Sequence, residues 1–291
     1  MFDSAFLQRL EYLSLSSQRL FQGQLLAQRR TRRSGGGVEF AEHREYVQGD
    51  DLRHLDWQVY ARHGDLLLKR FQEEEDLHVY ILLDASKSMD VGRPHKFTYA
   101  RQLAAALAYI ALADLDRVSI VPYDQRPRNS LPLMRGKNNV LGLLRYLENL
   151  QTGGARTDLE AVVREFGRRA PRTGLVLLIS DLFDQDGFRA GIDRLRHLQF
   201  EPHVIQIHTQ EEASPQRLGD VELEDIETGQ RQTLTVNEAV LRRYRARFAA
   251  FVEDIEGYCR RYGLSHTRTT TDVPYDQALL QMMRTSGVVT G

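Results

Sequence analysis

The sequence predicts an α/β protein with an open, mostly parallel sheet flanked by helices. Two short apolar runs rich in β-branched residues, LHVYILLD at 77–84 and LVLLISD at 175–181, each end in a carboxylate and are typical of buried parallel strands. A third run of this kind, PHVIQIH, occupies 202–208. Segments with helical periodicity separate the runs, and this alternation of strands and helices indicates an open α/β sheet.

The composition is that of an ordinary globular protein. Of the 291 residues, 42% are hydrophobic and 27% are charged, and the formal net charge is -1. This charge balance gives no indication of a nucleic-acid partner. The single cysteine, Cys259, excludes an intramolecular disulfide and a cysteine-based zinc site.

No segment predicts a secretory signal or a membrane span. The N-terminal MFDSAFLQRL carries an acid at position 3 and has no uninterrupted apolar region. The longest apolar stretch, Leu103 to Leu115, is interrupted by Asp114 and is shorter than the ~17 to 25 residues that a spanning helix requires. We therefore expect a cytoplasmic protein.

Residues 1–76 are predicted to form a helical and charged extension that packs on the core. Leucine spacing over 5–30 favours one or two amphipathic helices. The run QRRTRRSGGG at 28–37 favours a solvated linker over a phosphate-binding arm, and its arginines are Arg29, Arg30, Arg32 and Arg33. Residues 38–75 are expected to be irregular, apart from a strand-like segment at Asp65 to Phe71.

Residues 77–291 are predicted to form the α/β domain. The segments RVSIVPY and RNSLPLM flank DQRP as a hairpin, and LSHTRTT at 264–270 is a candidate last strand. A second hairpin is inserted at about 219–236 and turns at Thr228 and Gly229. The predicted helices are Lys96–Ala113, Asn138–Leu150, Leu159–Arg169, Phe188–Leu198, Glu238–Tyr262 and Tyr275–Met283.

Oxygen-bearing side chains gather where the carboxyl ends of the predicted strands meet. Asp84 and Asp181 each end a strand, and ligands of open α/β sheets collect at that edge. Ser86 and Ser88 follow Asp84 at alternate positions, so these three side chains can face one point. Thr157 follows a bend that glycine permits in GGARTDLE. Two carboxylates and three hydroxyls suit Mg²⁺ or Mn²⁺.

Each of these residues also has a purely structural interpretation. The two serines can satisfy turn amides, and Thr157 with Glu160 forms a T-x-x-E capping box. Asp181 can cap the turn that follows its strand. The convergence of three loops on one sheet edge favours the metal site.

These motifs resemble a known site and a known family. DASKS, Thr157 in GGARTDL and Asp181 in LLISD resemble the metal-ion-dependent adhesion site of von Willebrand factor A domains at all five positions. The segment at 39–76, which includes GDDLRHLDW, resembles the one that defines the bacterial family catalogued as domain of unknown function 58. The resemblance implies a von Willebrand factor A-like, Rossmann-type fold.

The resemblance also implies how the site works. In von Willebrand factor A domains the serines and the threonine contact the ion directly, the aspartates bind it directly or through water, and a partner's carboxylate takes the last position. Members of the bacterial family are often encoded beside MoxR-type AAA+ ATPases, which implies a role in assembly or maturation. Many carry N-terminal membrane helices, which this sequence lacks. We expect a metal-dependent protein-binding or adaptor module and not an enzyme.

Two other functions are weighed against this one. A magnesium-dependent phosphoesterase is the alternative, because strand-end carboxylates also occur in hydrolases. An aspartyl-phosphatase loop, however, needs a carboxylate where Ser86 stands, and neither a glycine-rich phosphate loop nor a G-x-S-x-G elbow is present. Nucleic-acid binding depends on the arginine run alone.

The segment around GDDLRHLDW is either a second functional surface or an ion-pair network that ties the extension to the core. Buried charges must be paired to be tolerated, which favours the network. The residues concerned are Arg44, Asp50, Asp51, Arg53, Asp56, Trp57 and Arg62.

Overall fold

The structure is a computed structural model that describes residues 1–21, 34–47, 50–72, 77–154, 157–184, 187–224 and 229–286. The chain divides into two compact units, one formed by Met1–Gln18 with Leu77–Gly291 and the other by Arg19–Asp76. The arginine run at 29–33 and the predicted turn residue Thr228 lie outside the described residues.

Strands and helices are numbered in chain order. The strands are β1 (Ser34–Glu45), β2 (Leu67–Gln72), β3 (His78–Asp84), β4 (Arg117–Tyr123), β5 (Leu131–Arg135), β6 (Leu175–Ser180), β7 (Glu201–His208), β8 (Gly219–Glu224), β9 (Arg231–Val236) and β10 (Ser265–Thr270). The helices are α1 (Ser4–Phe21), α2 (Trp57–His63), α3 (Lys96–Ala113), α4 (Val140–Asn149), α5 (Leu159–Arg169), α6 (Phe188–His197), α7 (Gln210–Ala213), α8 (Glu238–Arg261) and α9 (Tyr275–Ser286). Every helix predicted after residue 95 is present.

The first unit contains the predicted mostly parallel sheet. Within the described residues it has six strands in the order β10-β7-β6-β3-β4-β5. All neighbouring strands run parallel except β4 and β5, which form the predicted hairpin. From β3 the chain proceeds to β4 on one side, and it later returns to place β6 on the other side. The strand order therefore reverses between β3 and β6, where ligands of doubly wound sheets bind. The predicted fold class is confirmed.

Two apolar cores cover the faces of this sheet, and they hold the central strands rigidly. Val79, Ile81 and Leu83 of β3 contribute to one core, while Tyr80 and Leu82 contribute to the other. This alternation follows from the two-residue period of a strand. Full burial of one such aliphatic side chain contributes roughly 1.5–3 kcal/mol. The carboxyl end of β3 is consequently fixed in position by its own packing.

Helix α1 packs into the first of these cores. Phe6, Leu10 and Leu13 are buried there, and the ring of Phe6 lies 5.1 Å from that of Tyr275 between centroids. The leucine spacing thus predicted the buried face of this helix correctly. Among the described helices, none combines the length and apolar character needed to cross a bilayer.

The Arg19–Asp76 unit contains more regular structure than predicted. Strand β1 pairs antiparallel with β2, with two register shifts, although residues 38–64 were expected to be irregular. Helix α2 was also missed: Asp56 caps its first amides, and Gly64 ends it with a φ of 76°. Its Asp and Gly boundary signals were present in the sequence. Strand β1 forms by pairing with β2, a distant segment, and its own sequence has no periodic pattern of apolar residues that would predict it.

The inserted hairpin is present with the predicted bounds. Strands β8 and β9 pair antiparallel from Gly219 opposite Val236 to Glu224 opposite Arg231. Gly229 has a φ of 71°, a conformation that glycine adopts without strain.

Burial of a histidine in β7 predicts how folding stability depends on pH. His203 is buried, its Nε2 lies 2.9 Å from Thr267 Oγ1, and burial followed by the charge of His266 lowers its pKa to about 4. Because the unfolded chain binds a proton near pH 6.5 and the folded chain does not, stability falls as pH drops from 6.5 towards 4. His203→Gln should remove about 2 kcal/mol of the loss between pH 7.5 and pH 5. Urea unfolding at the two pH values measures this, and parallel pH dependences of the two proteins would contradict it.

Candidate functional site

The candidate site lies at the carboxyl ends of β3 and β6. Asp84 is the last residue of β3, and Asp181 directly follows β6. Each residue is about 1% exposed. The two carboxylates interact electrostatically, since the charge of Asp181 raises the pKa of Asp84. The fold therefore brings together two acids that are 97 positions apart in the sequence.

The loop after Asp84 directs its hydroxyls towards one another. Asp84 Oδ1 accepts a hydrogen bond of 3.0 Å from the amide of Ser86, and the hydroxyl oxygens of Ser86 and Ser88 lie 3.0 Å apart. Ser86 precedes a short 3₁₀ helix, Lys87–Met89, but its side chain does not cap that helix. The structural interpretation of Ser86 as a partner for turn amides is therefore not realised.

The third loop carries Thr157. Gly154 provides the predicted bend, with a φ of 80°, and a Cβ atom there would lie 2.7 Å from the side chain of Asp124. The amide of Gly153 donates to the carbonyl of Ala85 over 2.8 Å. On its other side, the amide of Leu159 donates to Asp184 Oδ2 over 2.9 Å. The Thr157 loop is thus tied both to the loop after Asp84 and to the segment after Asp181.

The hydroxyl of Thr157 has no structural role in capping the following helix. Asp158 caps α5 by accepting a hydrogen bond of 2.8 Å from the amide of Ala161, so the predicted Thr157–Glu160 capping box is wrong. Thr157 is 4% exposed, and its Oγ1 has no hydrogen-bond partner among the described residues. A buried hydroxyl without a partner costs free energy on the order of 1–3 kcal/mol. Such an atom is available to a ligand.

Both oxygens of Asp181 already have partners within the chain. Oδ1 accepts from the amide of Phe183 over 3.1 Å, so the expected capping of the turn is realised by this oxygen. Oδ2 accepts from Lys96 Nζ over 2.8 Å. Leu182, between Asp181 and Phe183, has a φ of 62°, a conformation rarely adopted by non-glycine residues.

Lys96 is the main site residue that the sequence motifs do not reveal. Its side chain is 0% exposed, and its Nζ also lies 2.5 Å from Glu212 Oε1. Burial alone would lower the pKa of Lys96, but Asp181 and Glu212 together raise it above its usual value. Glu212 is held in turn by a capping box with Thr209 at the start of α7. A T-x-x-E signal at 209–212 predicts that box, whereas the Lys96 contact joins distant segments.

Within the described residues, Asp84 receives neutral donors only. Its Oδ2 accepts a hydrogen bond of 2.6 Å from the Ser180 hydroxyl, and the oxygen of Ser180 accepts from the amide of Leu182 over 2.8 Å. Burial, followed by the charge of Asp181, raises the pKa of Asp84 to about 7. Ionised Asp84 therefore lacks a cationic partner among the described contacts.

The donor set fits a hard divalent cation. A carboxylate has about four lone-pair positions, and the two internal hydrogen bonds of Asp84 and of Asp181 leave further acceptor capacity on each. The unpartnered oxygen of Thr157 and the paired hydroxyls of Ser86 and Ser88 add neutral oxygen ligands. Carboxylate and hydroxyl oxygens are ligands that Mg²⁺ and Mn²⁺ prefer.

The charged residues of the Arg19–Asp76 unit form local pairs. Arg44 lies 2.6 Å from Asp50, and Arg53 lies 2.7 Å from Asp51. Asp56 is 6% exposed and accepts from the amides of Gln58 and Val59 at the start of α2.

The other two residues predicted to belong to the functional surface or ion-pair network, Trp57 and Arg62, are exposed. Trp57 is 61% exposed and makes an edge contact with Tyr60, whose ring centroid lies 6.2 Å away. Arg62 is exposed in the last turn of α2. Whether this segment is a network to the core or a second surface stays a prediction.

Comparison with known families identifies one match. The family model described as protein of unknown function DUF58 matches residues 42–254. An uncharacterized protein of Mycobacterium tuberculosis, Rv1480, is 25% identical over 268 residues, which cover 88% of this chain and 83% of that protein. The uncharacterized protein Mb1516 of Mycobacterium bovis matches with the same identity and coverage.

Solved structures with a similar fold include two bacterial proteins. The conserved hypothetical protein BatB from Bacteroides thetaiotaomicron aligns with a TM-score of 0.42 and 16% identity over 72% of this chain and 99% of that one. A von Willebrand factor type A protein from Catenulispora acidiphila aligns with a TM-score of 0.44 and 15% identity over 75% of this chain and 44% of that one.

Replacing Lys96 tests the charge balance of the site. Lys96→Met leaves the carboxylates of Asp181 and Glu212 without their cationic partner, so it should lower the free energy of unfolding by about 3–5 kcal/mol. Adding Glu212→Gln removes one of the two uncompensated charges and should recover part of the loss. Urea unfolding of the wild type and the two variants measures both effects, and a loss below about 1 kcal/mol for Lys96→Met would contradict the buried ion pair.

Proposed function

This chain belongs to the family described as protein of unknown function DUF58, and we propose that it acts as a metal-dependent protein-binding module. The proposed ligands of Mg²⁺ or Mn²⁺ are Asp84, Ser86, Ser88, Thr157 and Asp181. The observation that carries the proposal is the buried, unpartnered hydroxyl of Thr157 on a loop tied to those of both aspartates.

The charge of the site supports a role for the cation in recognition. Lys96 offsets the charge of Asp181, while Asp84 has only neutral donors. A cation held by few anionic ligands stays electrophilic and offers a position to a carboxylate from a partner protein. The chain's own residues would fix that position, because the strands that carry them are packed on both faces.

The surroundings of the two serines support binding over catalysis. A nucleophilic serine requires a base within hydrogen-bond reach. Among the contacts of the described residues, Ser86 pairs with Ser88 and also bonds the Asp84 carboxylate, which is itself a proposed metal ligand, and Lys96 is committed to Asp181 and Glu212. We propose that the protein is not an enzyme.

We propose a MoxR-type AAA+ ATPase as the protein with which this module works, in the cytoplasm, in assembly or maturation of a further partner. The support is the family resemblance of the 39–76 segment and the acid-accepting character of the proposed site. Affinity capture from the native cell should retain such an ATPase with the wild type, and should lose it with chelator or with Asp84→Asn. Capture that is unaffected by both would remove the metal from the interaction.

Thr157→Val provides the sharpest test of the metal site. Because the hydroxyl has no partner in the part of the chain that the structure describes, its replacement by a methyl group should leave the metal-free protein as stable as the wild type or slightly more stable. Mg²⁺ at about 100 times its Kd should stabilise the wild type by about 2.7 kcal/mol and should stabilise Thr157→Val and Asp84→Asn much less. Urea unfolding with and without Mg²⁺, together with calorimetric titration, measures this.

Thr271→Val is the matched control, since Thr271 is also 4% exposed and its hydroxyl also lacks a partner within the described ranges. It should keep the full Mg²⁺ effect. Equal stabilisation of Thr157→Val and the wild type would place the metal elsewhere. The phosphoesterase alternative predicts Mg²⁺-dependent hydrolysis of p-nitrophenyl phosphate that Asp84→Asn abolishes, and such turnover would contradict the binding module.

A further inference from the structure

An open cavity of about 780 Å³ adjoins the candidate site in the first unit. It lies along α5 and beside the turn that follows β4, and Thr157 forms part of its lining. The volume is within the range of roughly 300–1,000 Å³ typical of ligand pockets. The arginines that line it are Arg126, Arg164, Arg168 and Arg169. We name it the arginine cavity.

Three of these arginines have no ion-pair partner among the described residues. Arg169 lies 2.5 Å from Glu165, which also lines the cavity, and Asp158 is engaged in capping α5. Arg126, Arg164 and Arg168 are exposed and form no salt bridge within the described part of the chain. The cavity therefore carries excess positive charge.

The positions of Arg164 and Arg168 contribute little to the stability of α5. Arg164 and Arg168 are four positions apart on α5, where like charges destabilise a helix by roughly 0.2–0.5 kcal/mol. Arg168 lies in the last turn, where the helix dipole favours a cation, but Arg164 does not.

Thr157 connects the arginine cavity to the proposed metal site. Its hydroxyl is buried and unpartnered, and the residue lines the cavity. A ligand in the cavity therefore lies against the loop that carries Thr157. Guanidinium groups bind carboxylates through paired hydrogen bonds, so the cavity and the proposed site both favour acidic groups.

We propose that the arginine cavity binds an acidic segment of a partner protein, with one carboxylate directed to the site at Thr157 and neighbouring carboxylates bound by Arg126, Arg164 and Arg168. This inference rests on the proposed function, whose partner it specifies. The partner is recognised by a run of acidic side chains and not by a single acid.

A nucleic acid is disfavoured as the occupant. Single-stranded nucleic acids are held by aromatic side chains on which the bases stack, and none of the described residues that line the cavity is aromatic. Glu165 and Asp158 at its wall also oppose a continuous phosphate backbone.

The test uses the full chain and a fluorescein-labelled octapeptide of alternating aspartate and glutamate. Fluorescence anisotropy is measured in saturating Mg²⁺ and at about 0.15 M salt, where long-range attraction is largely screened. Arg164→Glu combined with Arg168→Glu should weaken peptide binding about tenfold or more. The asparagine and glutamine counterpart of the peptide should not bind.

The matched control is Arg243→Glu combined with Arg247→Glu. These exposed arginines have the same four-residue spacing on α8, away from the cavity. The control variant should bind the peptide like the wild type. Equal weakening by both double variants, tighter binding of an eight-nucleotide single-stranded DNA, or no binding of the peptide to the wild type would each overturn the inference.

Two further measurements separate this inference from the proposed function. Peptide binding that requires Mg²⁺ but is insensitive to the Arg164 and Arg168 substitutions overturns the arginine cavity and leaves the metal-dependent module standing. Binding that depends on these arginines but persists in chelator supports the cavity and removes the metal from recognition. Calorimetric titration of the wild type with Mg²⁺ alone decides whether the metal site exists.

Discussion

The carboxylates of Asp84 and Asp181 lie buried at the ends of neighbouring strands, where the charge of Asp181 makes ionisation of Asp84 more costly. Their proximity follows from the strand order. Strands β3 and β6 are neighbours at the point where the direction in which the chain adds strands to the sheet reverses. Water screens such repulsion on a protein surface but does so far less in the interior. The contacts around the two carboxylates stabilise their charges in different ways.

The two acids are compensated in different ways. Asp181 has the ammonium of Lys96, which is shared with Glu212 and placed at the first turn of α3. A cation at a helix N-terminus is itself unfavourable, so Lys96 depends on both carboxylates. Among the described residues, Asp84 receives only neutral donors, from Ser86 and from the Ser180 hydroxyl, and its pKa is raised by burial and then by the charge of Asp181. Of the two acids, Asp84 has more to gain from a metal ion.

The local sequence correctly predicted the strands and helices whose apolar residues recur with a clear period. It also predicted the edge of the sheet at which the site lies. The apolar runs ending at Asp84 and Asp181 gave both strands, and alternation with helices gave the sheet. The contacts of Lys96 were not predictable, since they join positions 85 and 116 residues apart. Strand β1 was missed because its pairing with β2 leaves no local pattern. The T-x-x-E pattern at Thr157 offered a structural alternative to the metal site, but Asp158, the next residue, caps the helix.

The failure of this structural alternative bears on what Thr157 does. Had its hydroxyl capped α5, the residue would need no further explanation. Because Asp158 takes that role, the buried hydroxyl is left without a partner among the described residues. The left-handed backbone of Leu182 adds a local cost next to Asp181. Departures from locally favourable structure tend to concentrate where a protein functions. A cation bound among these loops would give both Thr157 and Asp84 the partner that the described chain does not.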